Sequence, residues 1–578
     1  MLSAVARRIS LDQAMPWVSR LFFLAFVVVL VGLMPEFAGI DPSQSILRAR
    51  SGHQQLLTAE ALQSIRDELQ LDRSTGERLW DWLSSAMQGD LGTSWVDGSP
   101  VIDGIQHTAS TSFTLMASAL ALTVIFCSIA FIYTMVSWHR GRLASSHNSL
   151  SSVLVALPEY VIAAMLILVF AIWLQWLPPY GWVEWKNLWL PSLALALPAS
   201  GLLSRLLSDS LKRVLSEPWV ITWLSANISI YQITLFALKR AMSNLIPQFS
   251  MVIIGLTGGA VAVEVIFSIP GIGRMLLGAA KSQDLPVLQG GLLVLLVFSI
   301  TISCIGILLQ KIILGKALSS GKLIGSQSSF SFTKNKWKRL SSFSIFVVLF
   351  VFVGIATLND PYTSQFGRLV SPSLDIPLGS DAIGRDLFAR VGTGMLSTLQ
   401  GGILATVLSL FVGIALGLCT RYSQGLIEIT KGLPYIIVGL LVAGLTGMSP
   451  HSALIAIVVT SWAPLAAHCS SLLLEAKAQP YVHLAPTWGV RSWDMYRHYL
   501  LPYVLAPLLR HALLRLPVIT LSLTSLSFIG LGVKPPEPEW GLLIAENLPY
   551  IERSPFGVVA PILGLVLLGI AINLMFDD

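Results

Sequence analysis

The chain alternates long apolar blocks with short polar breaks, and the blocks are long enough to cross a bilayer. A helix rises about 1.5 Å per residue, so roughly 20 apolar residues span the hydrocarbon core. After Arg7 and Arg8, an apolar run over 21–34, extending to about residue 40, reads as an uncleaved first membrane helix starting in the cytoplasm, since no small-x-small cleavage site follows it. Further apolar blocks lie at about 113–136, 153–174, 188–206, 245–267 and 290–314. A second series follows at about 343–358, 403–418, 436–446, 453–467, 514–529 and 558–574, several of them short or uneven. The pattern predicts an all-α polytopic membrane protein of about 12 transmembrane helices, arranged as two parallel six-helix halves.

The polar breaks orient the blocks. A region over about 41–110 holds ten acidic residues against five arginines, a poverty of basic charge that suits the outer face. Within it Thr58 is placed to cap a helix carrying Leu62, Ile65 and Leu69 at helical spacing. Arg140 and Arg142, then Lys212, Arg213, Lys239 and Arg240, fall in breaks that face the cytoplasm if the N-terminus does. From 311 to 339 there are seven basic residues and no acidic one, in a Ser-rich stretch, which predicts a cytoplasmic linker over 315–340 between a first half, 1–314, and a second, 341–578. Arg421, Lys431, Lys477 and the arginines over 491–510 fall on the inner face of the second half, so both termini are expected in the cytoplasm.

Composition agrees: 54% of residues are hydrophobic and only 12% charged, against about 25% charged in soluble domains. The net charge of +6 sits in short loops without aromatic interleaving, which reports orientation and not nucleic-acid binding. Cys127, Cys304, Cys419 and Cys469 lack CxxC spacing and lie in or beside apolar segments, so they are expected as small buried hydrophobes and not as disulfides or a metal site. Neither Gly315-Lys316 nor Gly321-Lys322 completes a GxxxxGK[ST] phosphate loop, and no HExxH or GxSxG occurs, so the chain is not expected to be an enzyme or to hydrolyse ATP itself, and any energy it uses must come from elsewhere. Two parallel six-span halves also suit an ion-coupled secondary transporter, but that mechanism uses ionisable groups in mid-membrane, which these blocks nearly lack.

A polar, charged break of about two dozen residues inside the second half, 479–502, reads QPYVHLAPTWGVRSWDMYRHYLLP. Gly489 in it suits a helix–turn–helix reversal that needs positive φ. The first half carries a weak match: Pro218, Trp219 and Val220 align with Pro480, Tyr481 and Val482, and the same offset sets Asn227 against Gly489 and Tyr231 against Trp493. Asn ranks next to Gly at a left-handed turn, so the mismatch keeps the backbone option.

The 479–502 stretch resembles the coupling (EAA) loop by which ABC importer permeases dock on their ATPases, with Ala485 and Gly489 at its turn. Four further stretches carry the resemblance. Residues 378–386, LGSDAIGRD, and 526–541, LSFIGLGVKPPEPEWG, are similar to motifs of the second permease of dipeptide, oligopeptide and nickel ABC importers. Residues 258–274, GGAVAVEVIFSIPGIGR, followed by Asp284 and Pro286, and residues 89–94, GDLGTS, are similar to motifs of the partner permease. The resemblance implies two permeases fused in one chain, with a type I importer-like fold, importing di- or oligopeptides across the cytoplasmic (inner) membrane. Nickel or a metal chelate is the alternative cargo.

It implies two ABC ATPase subunits docked at Pro218, Trp219, Val220, Asn227 and Tyr231 and at Pro480, Tyr481, Val482, Ala485, Gly489 and Trp493. A periplasmic or extracellular substrate-binding protein is implied on the other side, with Glu264, Pro270, Gly271, Gly273, Asp381, Gly384, Arg385, Asp386, Pro535, Pro536 and Trp540 shaping the outer entrance. ATP and magnesium are used by the partner ATPases, and no cofactor or metal is expected on this chain. Departures from the family pattern are Trp223 and Asn227 in the first loop and Leu484 and Pro486 in the second. The family pattern also continues past Asp578 into a short cytoplasmic tail.

Overall fold

The computed structural model describes residues 25–34, 43, 47, 59–68, 74–141, 154, 157–314 and 336–576. Thr58, Leu69, Arg142, the first two arginines and most of the linker lie outside the described residues. The described chain is helical throughout, relieved only by turns and by three isolated β-bridges.

The helices used below are α1 (Ala59–Glu68), α2 (Thr75–Met87), α3 (Val101–His139), α4 (Glu159–Leu166, continued as a π-helix over Ile167–Trp173) and α5 (Trp189–Leu215). They continue with α6 (Pro218–Ser225), α7 (Ile230–Ile266), α8 (Ile272–Ser282) and α9 (Leu285–Leu314). After the linker come α10 (Lys336–Ala356), α11 (Leu387–Leu418), α12 (Thr420–Lys431), α13 (Tyr435–Thr446), α14 (Pro450–Lys477) and α15 (Pro480–Leu484). The last three are α16 (Leu501–Phe528, preceded by a π-helix over Met495–Leu500), α17 (Trp540–Asn547) and α18 (Phe556–Phe576).

Among the described residues nine helices are long and apolar enough to cross a membrane, or ten if α12 and α13 form one broken span bent by 100°. The expected count of about twelve is therefore not reached within the described residues. The reasons are local. Gly432 and Pro434 interrupt the α12–α13 run, because Pro lacks an N–H and its ring clashes with the preceding turn. The block expected over 153–174 is described from residue 157, where Pro158 precedes α4, and it loosens into π-helix before Leu174. Of the first expected span only 25–34 is described, and it is helical over 25–32. The region expected over about 41–110 also ends earlier than expected, since α3 begins at Val101. α11 is capped by the Asp386 carboxylate, which accepts the Phe388 N–H at 2.8 Å.

The chain forms two compact units that do not follow linear order: Met1–Asp103 with Gly278–Leu293 and Lys334–Asp578, and Gly104–Leu277 with Val294–Thr333. In the second of these, α3 and α5 run side by side at a constant offset of 74 residues, Ser118 meeting Ser192 at 2.6 Å and Thr134 meeting Ser208 at 3.1 Å. Hydroxyl pairs of this kind hold membrane helices together where lipid supplies no hydrophobic drive. Below them α5 and α7 close over Leu207, Leu211, Val214, Ala237, Ala241 and Leu245.

In the other unit α11 lies along α14 and α16, and small residues let the backbones approach. A Cβ at Gly413 would sit 2.9 Å from Leu465, and one at Gly417 would sit 2.6 Å from the Cys469 Cβ. Helix 25–32 belongs to this unit, tied to α9 by the Gln289 amide donating to the Val31 carbonyl at 2.9 Å.

Over 212–269 and 474–531 the chain repeats itself residue for residue at an offset of 262. The Ser216 N–H donates to the carbonyls of Lys212 and Arg213, as Ala478 does to Leu474 and Glu475. At the far end Phe267 N–H bonds Val263 and Ile269 N–H bonds Glu264, as Ile529 bonds Ser525 and Leu531 bonds Leu526. The positive φ of Ser268 (56°) falls on Gly530 (90°). The weak match of the loop thus extends over a helix, a loop and the following helix, with no insertion.

Candidate coupling loops and outer-face motifs

The two loops expected to meet ATPases share one turn. Asn227 adopts φ 57° and Gly489 φ 78°. Around each, the same pair of bonds closes the helix end: Asn227 N–H to Leu224 and Ile228 N–H to Trp223, matched by Gly489 N–H to Pro486 and Val490 N–H to Ala485. This 6→1 closure with a left-handed residue terminates a helix by satisfying its last carbonyls. Pro218 and Pro480 each occupy the first turn of their short helix, where a missing N–H costs nothing. Pro486 removes a donor further along, and the chain from Ala485 to Trp488 tightens into 3-10 geometry.

Anchors and exposed faces separate cleanly. Val220 is buried, and Val482 packs beside buried Ala485, Met495, Leu500 and Val504. Where the second loop has Ala485, the first has Trp223, whose ring meets Trp219 and Phe236 edge-on at 5.1 and 4.9 Å. The larger side chain is accommodated by this aromatic stack, half-buried and not inserted. Trp219 also donates its indole N–H to Glu217 at 3.0 Å, and Glu217 pairs with Arg240 at 2.8 Å. Tyr231 and Trp493, equivalent in the repeat, are 76% and 73% exposed, and Ile221, Leu484 and Trp488 are exposed as well. Exposed apolar side chains beside a rigid turn are the composition of a protein-docking surface.

The motifs expected at the outer entrance are joints. Glu264, near the C-terminal end of α7, accepts from the Ser112 hydroxyl at 2.5 Å and from the Arg274 N–H at 3.0 Å, while Ser112 Oγ accepts the Ile272 N–H at 2.9 Å. The carboxylate and hydroxyl together cap the first turn of α8. Gly271 and Gly273 make room, since a Cβ at either would lie 2.2 and 2.6 Å from Glu264 and Val261 respectively. Pro270 is exposed on the turn. The Ser94 hydroxyl of the GDLGTS stretch donates to Asp284 at 2.5 Å, so two separately recognised motifs meet there.

The second half builds the same cap from a different residue. Glu539 accepts from Thr398 Oγ1 at 3.1 Å and from the Leu542 N–H at 3.1 Å, and Thr398 Oγ1 accepts the Trp540 N–H at 3.1 Å. The roles of Ser112, Ile272 and Arg274 are taken by Thr398, Trp540 and Leu542, but the carboxylate now comes from the residue preceding α17. The position 262 beyond Glu264 is Leu526. Burial without a facing cation raises the Glu539 carboxyl above the ordinary glutamate range, with its hydrogen bonds opposing that shift. Trp540 is buried and bonds the Val391 carbonyl through its indole at 2.9 Å, and Pro535 and Pro536 are joined by a cis peptide in the loop before it.

Asp381 and Arg385 pair at 2.6 Å, and Asp381 also accepts the Ile383 and Arg385 N–H groups. Gly384 turns at φ 87° against the Phe366 carbonyl, where any Cβ would lie 2.3 Å away. Asp386 belongs to the helix cap and to Asn359, which donates to it at 3.0 Å. Sequence reasoning missed three members of these joints. Arg390 is fully buried and bonds Glu546 at 2.9 Å, and Glu546 also receives Arg385 at 3.2 Å. Glu539 is the third. For Arg390 and Glu546 the signal was an ionisable residue inside or beside an apolar run, as for Glu264, whereas Glu539 stands in the polar stretch KPPEPEW, where its own neighbours did not mark it.

Comparison with known proteins follows the two halves. The family described as binding-protein-dependent transport system inner membrane component matches residues 126–317 and again 405–577. The glutathione transport system permease protein GsiC of Escherichia coli O6:H1 is 30% identical over 271 residues, covering 47% of this chain and 86% of its own length. The dipeptide transport system permease protein DppC of Bacillus subtilis is 29% identical over 242 residues, covering 39% of this chain and 76% of its own. Each relative accounts for less than half of this chain but most of itself, as a single permease set against a fused pair does. The chain belongs to the binding-protein-dependent transport system inner membrane component family, with two of that family's domains joined in one polypeptide.

Proposed function

We propose that this chain is the complete membrane-spanning part of an ATP-driven peptide importer in the cytoplasmic membrane, with both termini on the cytoplasmic side. The observation that carries this reading is the matched pair of turns at Asn227 and Gly489, each beside an exposed aromatic residue, Tyr231 or Trp493. Two equivalent docking turns call for two ATPase subunits, one for each half. ATP binding draws the ATPases together and biases the halves between two packings, so that the path opens to one side at a time. A substrate-binding protein delivers cargo at the outer joints around Glu264, Pro270, Asp381, Arg385 and Trp540. Peptide cargo is supported by the relatives, whose names specify glutathione and dipeptide.

The test is affinity co-purification of the chain from its native membrane, wild type beside Gly489→Trp. Recovery of an ATPase pair with wild type, lost or uncoupled in the variant, supports the reading. Recovery of no ATPase with wild type sinks it.

A further inference from the structure

Four cationic or titratable side chains gather within the second family domain and have no role in the coupling turns or the outer joints. His468 of α14 and His511 of α16 face each other with ring centroids 4.5 Å apart. Arg515 follows His511 by one helical turn, and it lies within Coulombic range of His511 and of Lys431, which ends α12 at the 100° bend. The Arg515 Nε is buried with no hydrogen-bond partner among the described residues. Its neighbours on two helices are cations or imidazoles.

Carboxylates on the same elements do not compensate them. On α14, Glu475 lies seven residues beyond His468, about 10 Å along the helix, and receives the Tyr503 hydroxyl at 3.1 Å. On α12, Glu428 is exposed. Among the described residues none of the four forms an ion pair.

Depth makes this arrangement costly. His468 stands nine residues from the end of α14, about 14 Å, and Arg515 stands thirteen residues from the outer end of α16, about 20 Å. A guanidinium at that depth does not reach a headgroup by extending its stem. Positive charge without counter-charge inside candidate membrane spans is a functional site by default, because it is unfavourable unless something anionic visits it. A metal cation is the wrong visitor: two imidazoles offer two ligands, Arg515 and Lys431 repel it, and no group of three or more metal-ligating side chains occurs among the described residues.

We propose that Lys431, His468, His511 and Arg515 form a way-station on the transport path that receives the carboxylate of the cargo, making this a carrier for peptides with a free C-terminal or acidic side-chain carboxylate. Arg515 and Lys431 supply the charge, and the imidazole pair supplies N–H donors. The proposal rests on the peptide-importer reading above.

The test uses the whole transporter, reconstituted in liposomes with its ATPases and binding protein, and one peptide in two forms, free acid and C-terminal amide. Each form is supplied above its measured affinity for the binding protein, so that capture does not decide the result. ATP-dependent uptake of the free acid is expected to exceed that of the amide by roughly tenfold or more, the worth of a charge-assisted hydrogen bond. Arg515→Gln is expected to erase that preference, bringing the free-acid to amide uptake ratio close to one, and Arg515→Lys to keep most of it. Equal uptake of both forms by the wild type, or an equal loss of both in Arg515→Gln, overturns the site while leaving the importer standing. Uptake that ignores ATP overturns both.

Discussion

At the scale of single residues, the matched turns at Asn227 and Gly489 rest on backbone conformation and not on side-chain contact. No atom lies within 4 Å of where a Gly489 Cβ would stand, so substitution there costs conformation alone, about 1–2 kcal/mol for an ordinary residue in the left-handed region. Asn227 already holds this conformation in the first loop. Gly489→Asn is therefore expected to transport at near wild-type rate, while Gly489→Val loses most ATP-driven uptake with a nearly unchanged melting midpoint in detergent; an inactive Asn variant would refute the equivalence of the turns. Glu539 gives a second residue-scale prediction. Its carboxyl is raised by burial, so the folded state favours the protonated form, and that contribution is complete at acid pH and lost as pH rises through the raised value. Glu539→Gln keeps an acceptor for the Leu542 N–H without the charge. Its thermal midpoint is expected to decline less between acid and neutral pH than the wild type's, whereas parallel curves would show that Glu539 titrates alike in both states.

At the scale of elements, helix boundaries were legible where caps are local. Pro218, Pro480 and Gly489 mark turns by their own backbone limits, and the expected blocks fall on α3, α5, α7, α9, α10, α11, α14, α16 and α18. The breaks inside α12–α13 and after α4 were less legible, because hydropathy averages over a bend that one Gly–Leu–Pro step creates. The tight joint at α17 gives the sharpest test of packing. A Cβ on Gly541 would lie 2.0 Å from the Thr524 carbonyl, inside contact distance of a backbone atom that has nowhere to move. Gly541→Ala is expected to cost about 1–3 kcal/mol through overpacking and to lower the detergent melting midpoint. Gly278→Ala, which meets nothing within 4 Å, serves as the control. A Gly541→Ala midpoint equal to the control's would show that α17 is not held against α16 as described.

At the scale of the whole molecule, two family domains share one chain, and relatives of each domain's size are permeases in their own right. Severing the chain between residues 325 and 326 and co-expressing both pieces is expected to restore ATP-dependent uptake, since the cut falls between family domains and removes no helix described here. Pieces that both insert in the membrane but fail to co-purify would show that covalent linkage is needed for assembly.

What the amino-acid order alone determined was the class: apolar blocks of bilayer length, basic loops on one side, a repeat offset of 262, and motifs long enough to name the family. These are local or periodic properties, and each is written in a window of twenty or so residues. Tertiary structure decided which side chains serve one another across hundreds of positions. That Glu264 and Glu539 do the same work from non-equivalent positions, that Arg390 joins Asp381 and Glu546, and that His468 meets His511 depends on helices separated by dozens to hundreds of residues packing at one depth. Burial gives an ionisable group its meaning, and burial is a property of neighbours that linear order does not contain.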